Sequence, residues 1–106
     1  CSLKSFCEMV AKTAEIMNIK NIGIGSDLCL DQPDEVVEWM RNGTWSKNKN
    51  YGEGSKNKPG FPKQPKWFED ARGFKNLEVG LKQVGFSEAE TNGILGNNWY
   101  NFYKTI

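Results

Sequence analysis

Asn21-Ile22-Gly23-Ile24-Gly25-Ser26-Asp27 sets two isoleucines on alternate positions between glycines and ends on a carboxylate. Alternating β-branched residues predict a short strand over Ile22 and Ile24. Glycine weakens an ordinary strand, because it loses more backbone freedom and offers no side chain to pack. Gly23 and Gly25 therefore mark places without room for a side chain, inside a crowded barrel or where a ligand approaches the backbone. A helix, a short strand and an acid at the strand's C-terminal end follow the order of an α/β unit, whose functional groups sit just past the strand ends. Asp27 is the candidate functional residue. It reads either as a general acid/base at such a rim or as a turn acid without chemistry.

Upstream, Leu3, Phe6, Cys7, Val10, Ala14 and Met17 recur at three and four residues, which predicts a helix from about Leu3 to Ile16 or Met17. Ser2 is placed to cap it and Asn18 to stop it. Downstream, Pro33 and Asp34 open a second helix through about Asn42, with Gly43 as its terminator. Asp34, Glu35 and Glu38 read as the solvated start of that helix, and Asp31 as a loop acid.

From Thr44 to about Gly73 the periodicity fades and Gly52, Gly54, Pro59, Gly60, Pro62 and Pro65 interrupt the chain. Trp45, Tyr51, Phe61, Trp67 and Phe68 indicate that this long loop packs down on a surface. Residues 47–66 hold six lysines against Glu53, a local charge of +5, whereas the chain as a whole carries only +1. The tail reads as a helix from Asn76 to Val84 ended by Gly85, a capping box at Ser87-Glu88-Ala89-Glu90, and a helix to about Leu95. Gly96 is expected to break it before a last aromatic turn from Asn98 to Lys104.

Several chemistries are excluded. The sequence contains no histidine, which removes Ser-His-Asp and Cys-His triads and imidazole-ligated zinc from these residues taken alone. Cys1, Cys7 and Cys29 form neither a CxxC pair nor a disulfide framework. Cys7 lies on the apolar face of the first helix as a buried thiol, and Cys29 has no histidine to activate it. Gly23-Ile24-Gly25 is not a dinucleotide fingerprint, since Leu28 stands where the third glycine belongs. No GxxxxGK[ST] or calcium-loop pattern occurs, and no apolar run is long enough for a membrane span. Asn42-Gly43-Thr44 is a glycosylation sequon without a secretion signal to support its use. The chain begins at Cys1 and reads as an internal or C-terminal piece of something larger.

Taken together, the pieces resemble one family. Asn21-Ile22-Gly23-Ile24-Gly25-Ser26-Asp27 behind the Phe6–Met17 helix is similar to the last barrel strand of the membrane (renal) dipeptidases, metallopeptidases among the amidohydrolase-like (β/α)8 enzymes. The tail carries the resemblance further. Phe74-Lys75-Asn76-Leu77, Val84-Gly85-Phe86-Ser87-Glu88 and Ile94-Leu95-Gly96-Asn97-Asn98-Trp99 resemble the family's closing pattern: NL, an apolar helix, G-[FY]-[ST]-E-E, then I-x-GGN before an apolar residue. Order and spacing agree from about Phe6 to Phe102. Two departures stand out. Asp27-Leu28-Cys29-Leu30-Asp31 replaces the common DFDG, so only Asp27 carries over, and Asn97 replaces the second glycine before Asn98.

The resemblance implies an α/β fold class: the C-terminal portion of a metal-dependent (β/α)8 TIM-type barrel, with residues 1–106 carrying the last strand and closing helices and 44–73 a basic, aromatic loop insertion. It implies two divalent metal ions, usually zinc, held by upstream residues absent from this chain: an HxD pair, a bridging glutamate and two further histidines. Asp27 matches the family's catalytic aspartate, which takes a proton from the attacking water and passes it to the leaving amine. The implied partners are the upstream remainder of the barrel and a dipeptide or related small amide, with a homodimer left open. The isolated fragment is expected to be inactive. The alternative is a small binding module in which the lysines and rings of 45–67 hold single-stranded nucleic acid. Two arginines and a near-neutral total charge favour a solvated loop instead. The sequence assigns no compartment.

Overall fold

The computed structural model describes residues 1–28, 30–41, 60 and 63–106, apart from the side chains of Glu38, Met40 and Arg41. In chain order the elements are α1 (Leu3–Met17), a 3-10 turn (Ile19–Asn21), α2 (Asp34–Arg41), a 3-10 turn (Ala71–Gly73), α3 (Phe74–Gln83), α4 (Glu88–Asn92), a π turn (Gly93–Asn97) and α5 (Asn98–Lys104). Two compact units emerge: Cys1–Asp27 together with Pro65–Ile106, and Leu28–Gln64.

In the first unit α1 forms where its apolar stripe predicts it. The Ser2 hydroxyl accepts the Ser5 N–H at 3.1 Å, filling one amide that the first turn leaves unpaired. Asn18 ends the helix at φ 69°, a left-handed conformation that asparagine tolerates better than most residues. Its side chain then accepts the Lys20 N–H of the following 3-10 turn.

α3 starts two residues before the expected Asn76, because the preceding 3-10 turn delivers the chain already coiled. Asp70 caps that turn by accepting the Arg72 N–H at 2.9 Å. The end of α3 is a Schellman motif. Gly85 adopts φ 108°, its N–H donates to the Lys82 carbonyl at 3.1 Å, and the Phe86 N–H reaches Leu81 at 3.2 Å.

Burial follows these helices. Cys7 and Val10 of α1, Leu77 and Leu81 of α3 and Ile94 of the π turn are between 0 % and 4 % exposed. Each aliphatic side chain buried this way contributes about 1.5–3 kcal/mol. Gly80 sets how closely α1 and α3 approach: a Cβ there would lie 2.8 Å from Cys7 Sγ and 2.9 Å from Leu3 Cδ1.

Against the same helices lies an aromatic cluster, with Phe6–Trp67 ring centroids 5.4 Å apart and Phe68–Phe74 5.0 Å. The Trp67 indole N–H donates to the Cys1 carbonyl at 3.0 Å, and the Asn76 amide donates to the Trp67 carbonyl at 2.8 Å. The C-terminal end of the long loop is thus packed down, as its rings led one to expect.

Two expectations need correction. The break at Gly96 does not occur: residues 88–104 stay helical, and the glycine-containing segment Gly93–Asn97 is absorbed as one wide π turn. Gly93 and Asn97 both keep right-handed helical dihedrals, so nothing diverts the chain there. The expected strand is also not formed among the described residues. Ile22 is extended at φ −106° and ψ 130°, but Ile22–Leu28 joins no ladder. A strand exists through pairing, and the sequence offers Ile22–Ile24 no second alternating segment to pair with.

The second unit carries α2, with Asp34 and Glu35 in its first turn as expected and Val37 buried at 1 % exposure. The expected end of this helix at Asn42 and Gly43, and Cys29, Trp45, Tyr51 and Phe61, lie outside the described residues.

Candidate functional site

The candidate site grows from the segment after α1. The chain leaves the 3-10 turn with Ile22 extended and reaches Asp27, an exposed carboxylate with φ 49°. Positive φ is uncommon for a residue with a Cβ, and aspartate is among the few that adopt it readily. Asp27 thus has its carboxylate open to solvent, which suits a group exchanging protons with a ligand and equally suits a loop acid without chemistry.

The base of this segment is held from the tail. Asn98, the first residue of α5, donates its side-chain amide to the Ile19 carbonyl at 2.9 Å and the Ile22 carbonyl at 2.8 Å. The π turn sets that placement, because one wide turn shifts every later residue relative to an uninterrupted α-helix. Gly93 makes room for it: a Cβ there would lie 2.8 Å from Asn98 Oδ1. One residue on, the Trp99 indole occupies the space above Gly23. A Cβ at Gly23 would fall on the indole nitrogen and 2.7 Å from Cε2.

The missing side chain at Gly23 thus has a physical cause, close approach of a tryptophan. Gly25 has no such cause, since a Cβ there meets nothing within 4 Å. Beside this junction lies a groove of about 640 Å³ whose lining includes Lys20, Asn21, Asn101, Trp99 and Phe102.

The remaining candidate residues separate. Cys7 is fully buried against Gly80, and burial raises its thiol pKa, which keeps it protonated and unreactive. Asp31 is exposed at φ 57° in the second unit, and Asp34 and Glu35 are exposed on α2. Among the described residues no cluster of three or more Cys, Asp or Glu could hold a metal ion, and no helix is long and apolar enough to cross a membrane. Of the basic, aromatic stretch 45–67, Lys63 and Lys66 are exposed, whereas Trp67 is committed to Phe6 and Cys1.

Sequence reasoning singled out Gly23 for lack of room but did not name Trp99 as the cause, and it left Asn98 without a role. A polar amide at the start of an otherwise aromatic helix was the available signal. No protein-family model matches this chain, and neither a curated protein nor a solved structure matches it.

Proposed function

We propose that this chain is the closing part of a dipeptidase-like (β/α)8 metallohydrolase, with Asp27 as its proton-transfer residue. The observation that supports this reading most is the Asn98 amide on the carbonyls of Ile19 and Ile22. The two segments that carry the resemblance, Asn21–Asp27 and Ile94–Trp99, lie far apart in sequence and meet in space through it.

The residues of this chain do not fit the implied metal pair. The sequence has no histidine, and the described residues gather no metal-binding group. On this reading the ligands belong to residues upstream, and only the part played by Asp27 is derived from the chain itself. In that role the exposed carboxylate of Asp27 would accept a proton from an attacking water and return it to the departing amine.

Determination of the coding sequence upstream of Cys1 tests the proposal. The reading expects an HxD motif and two later histidines in frame. A stop codon immediately before Cys1 overturns it.

A further inference from the structure

We propose that the groove between α5 and the 3-10 turn after α1 is a binding site for a small carboxylate with an aromatic body. The proposal does not depend on the role given to Asp27, which is not among the groove's lining residues. The volume of about 640 Å³ falls within the range of small-molecule sites, and every lining residue belongs to the first compact unit.

The charge of the lining selects the ligand. Lys20 is the one ionisable side chain in it, and residues 16–26 and 91–106, from which the lining is drawn, contain no Asp or Glu. Among the described residues the Lys20 ammonium has no ion pair and no hydrogen-bond acceptor. The same groove holds three further donors without an acceptor among those residues: the Trp99 indole N–H, the Gly23 backbone N–H and the Asn101 amide. The indole nitrogen lies where a Cβ on Gly23 would be, so two of these donors are neighbours. Several carbonyls that would repel an anion are already covered. Asn98 donates to those of Ile19 and Ile22, and the Thr105 hydroxyl donates to that of Phe102 at 2.7 Å.

An unpaired cation among neutral donors matches a single negative charge, and charge-assisted hydrogen bonds are the strong ones. A carboxylate satisfies that demand, whereas a phosphate dianion would leave a charge uncompensated. The exposed rings of Trp99 and Phe102 give the body of the ligand its apolar contact. Stacking of Trp99 on Tyr103, with ring centroids 6.0 Å apart, holds that wall in place before any ligand arrives.

The experiment titrates the 106-residue chain with phenylacetate, with its neutral isostere phenylacetamide and with acetate. The readouts are the indole N–H resonance of Trp99, assigned by its loss in Trp99→Phe, and the backbone amide resonance of Gly23. Lys20→Gln removes the groove's charge, and Lys12→Gln removes an exposed charge of α1 outside the groove.

The proposal expects phenylacetate to displace both resonances saturably in the millimolar range, with phenylacetamide and acetate each binding about 10-fold more weakly. Lys20→Gln should weaken phenylacetate by about 10-fold and leave phenylacetamide unchanged, and Lys12→Gln should alter neither. No saturable displacement overturns the site. Equal affinity for phenylacetate and phenylacetamide, or equal losses in the two lysine variants, overturns the carboxylate at Lys20. Acetate binding as tightly as phenylacetate overturns the aromatic body. The comparison of the three probes needs no variant, so it decides the matter even where a substitution disturbs folding.

Discussion

The side-chain amide of Asn98 donates to the backbone carbonyl of Ile22 at 2.8 Å, and the same nitrogen reaches Ile19 at 2.9 Å. One side chain therefore joins the segment after the first helix to the last helix of the chain. Asn98→Ala leaves two partly buried carbonyls without that donor, each net hydrogen bond contributing about 1 kcal/mol. Urea unfolding of the variant is expected to show a loss of about 2 kcal/mol, with circular dichroism still reporting folded helices.

Two glycines of one motif are expected to behave differently. Gly23→Ala drives a methyl group into the Trp99 indole, whereas Gly25→Ala enters open space. Overpacking of this kind costs about 1–3 kcal/mol, and an unstrained change at an open site stays within about 0.5 kcal/mol. Equal unfolding midpoints for the two variants would contradict the contact between Gly23 and Trp99.

Thr91 is fully buried and its hydroxyl has no hydrogen-bond partner among the described residues. Valine has nearly the same shape and no polar atom to desolvate. Thr91→Val is expected to raise stability by about 1 kcal/mol, read as a higher urea midpoint with an unchanged slope. A lower midpoint would mean that the hydroxyl is engaged.

The Asp70 carboxylate accepts from Arg72 Nε at 3.0 and 3.1 Å and from the Arg72 backbone, which holds its pKa at about 2 against an ordinary 3.8. A depressed carboxylate pKa contributes stability that is complete above the unfolded value and is lost as pH falls through the folded one. The contribution is therefore expected to fade between about pH 4 and pH 2. In Arg72→Gln the carbon resonance of the Asp70 carboxyl should titrate closer to 3.8. An unmoved titration would contradict the pairing.

Much of the helical frame was legible because its signals are local. Ser2, Asn18, Gly85 and the Ser87–Glu90 box each act within one turn, and the stripe of α1 needs only its own periodicity to be read. Gly96 misled because glycine's cost in a helix, about 1 kcal/mol, is smaller than what packing of Ile94 and Asn98 returns. Ile22 shows the opposite limit: it is extended, but pairing into a strand depends on residues elsewhere. The contact of Trp99 with Gly23 and the bond of Asn98 to Ile22 depend on a π turn that no local pattern announces. Asp27 could be singled out by its position after the isoleucines, whereas its positive φ could not.

The central claim is that Asp27 transfers the proton in dipeptide hydrolysis. The most direct measurement is turnover of a simple dipeptide by the protein extended with its upstream coding sequence, wild type against Asp27→Asn, with bound metal quantified in both. The account predicts hydrolysis by the wild type and a loss of at least about 100-fold in kcat for the variant at unchanged metal content. Equal turnover by the two proteins, or none by the wild type, would contradict it.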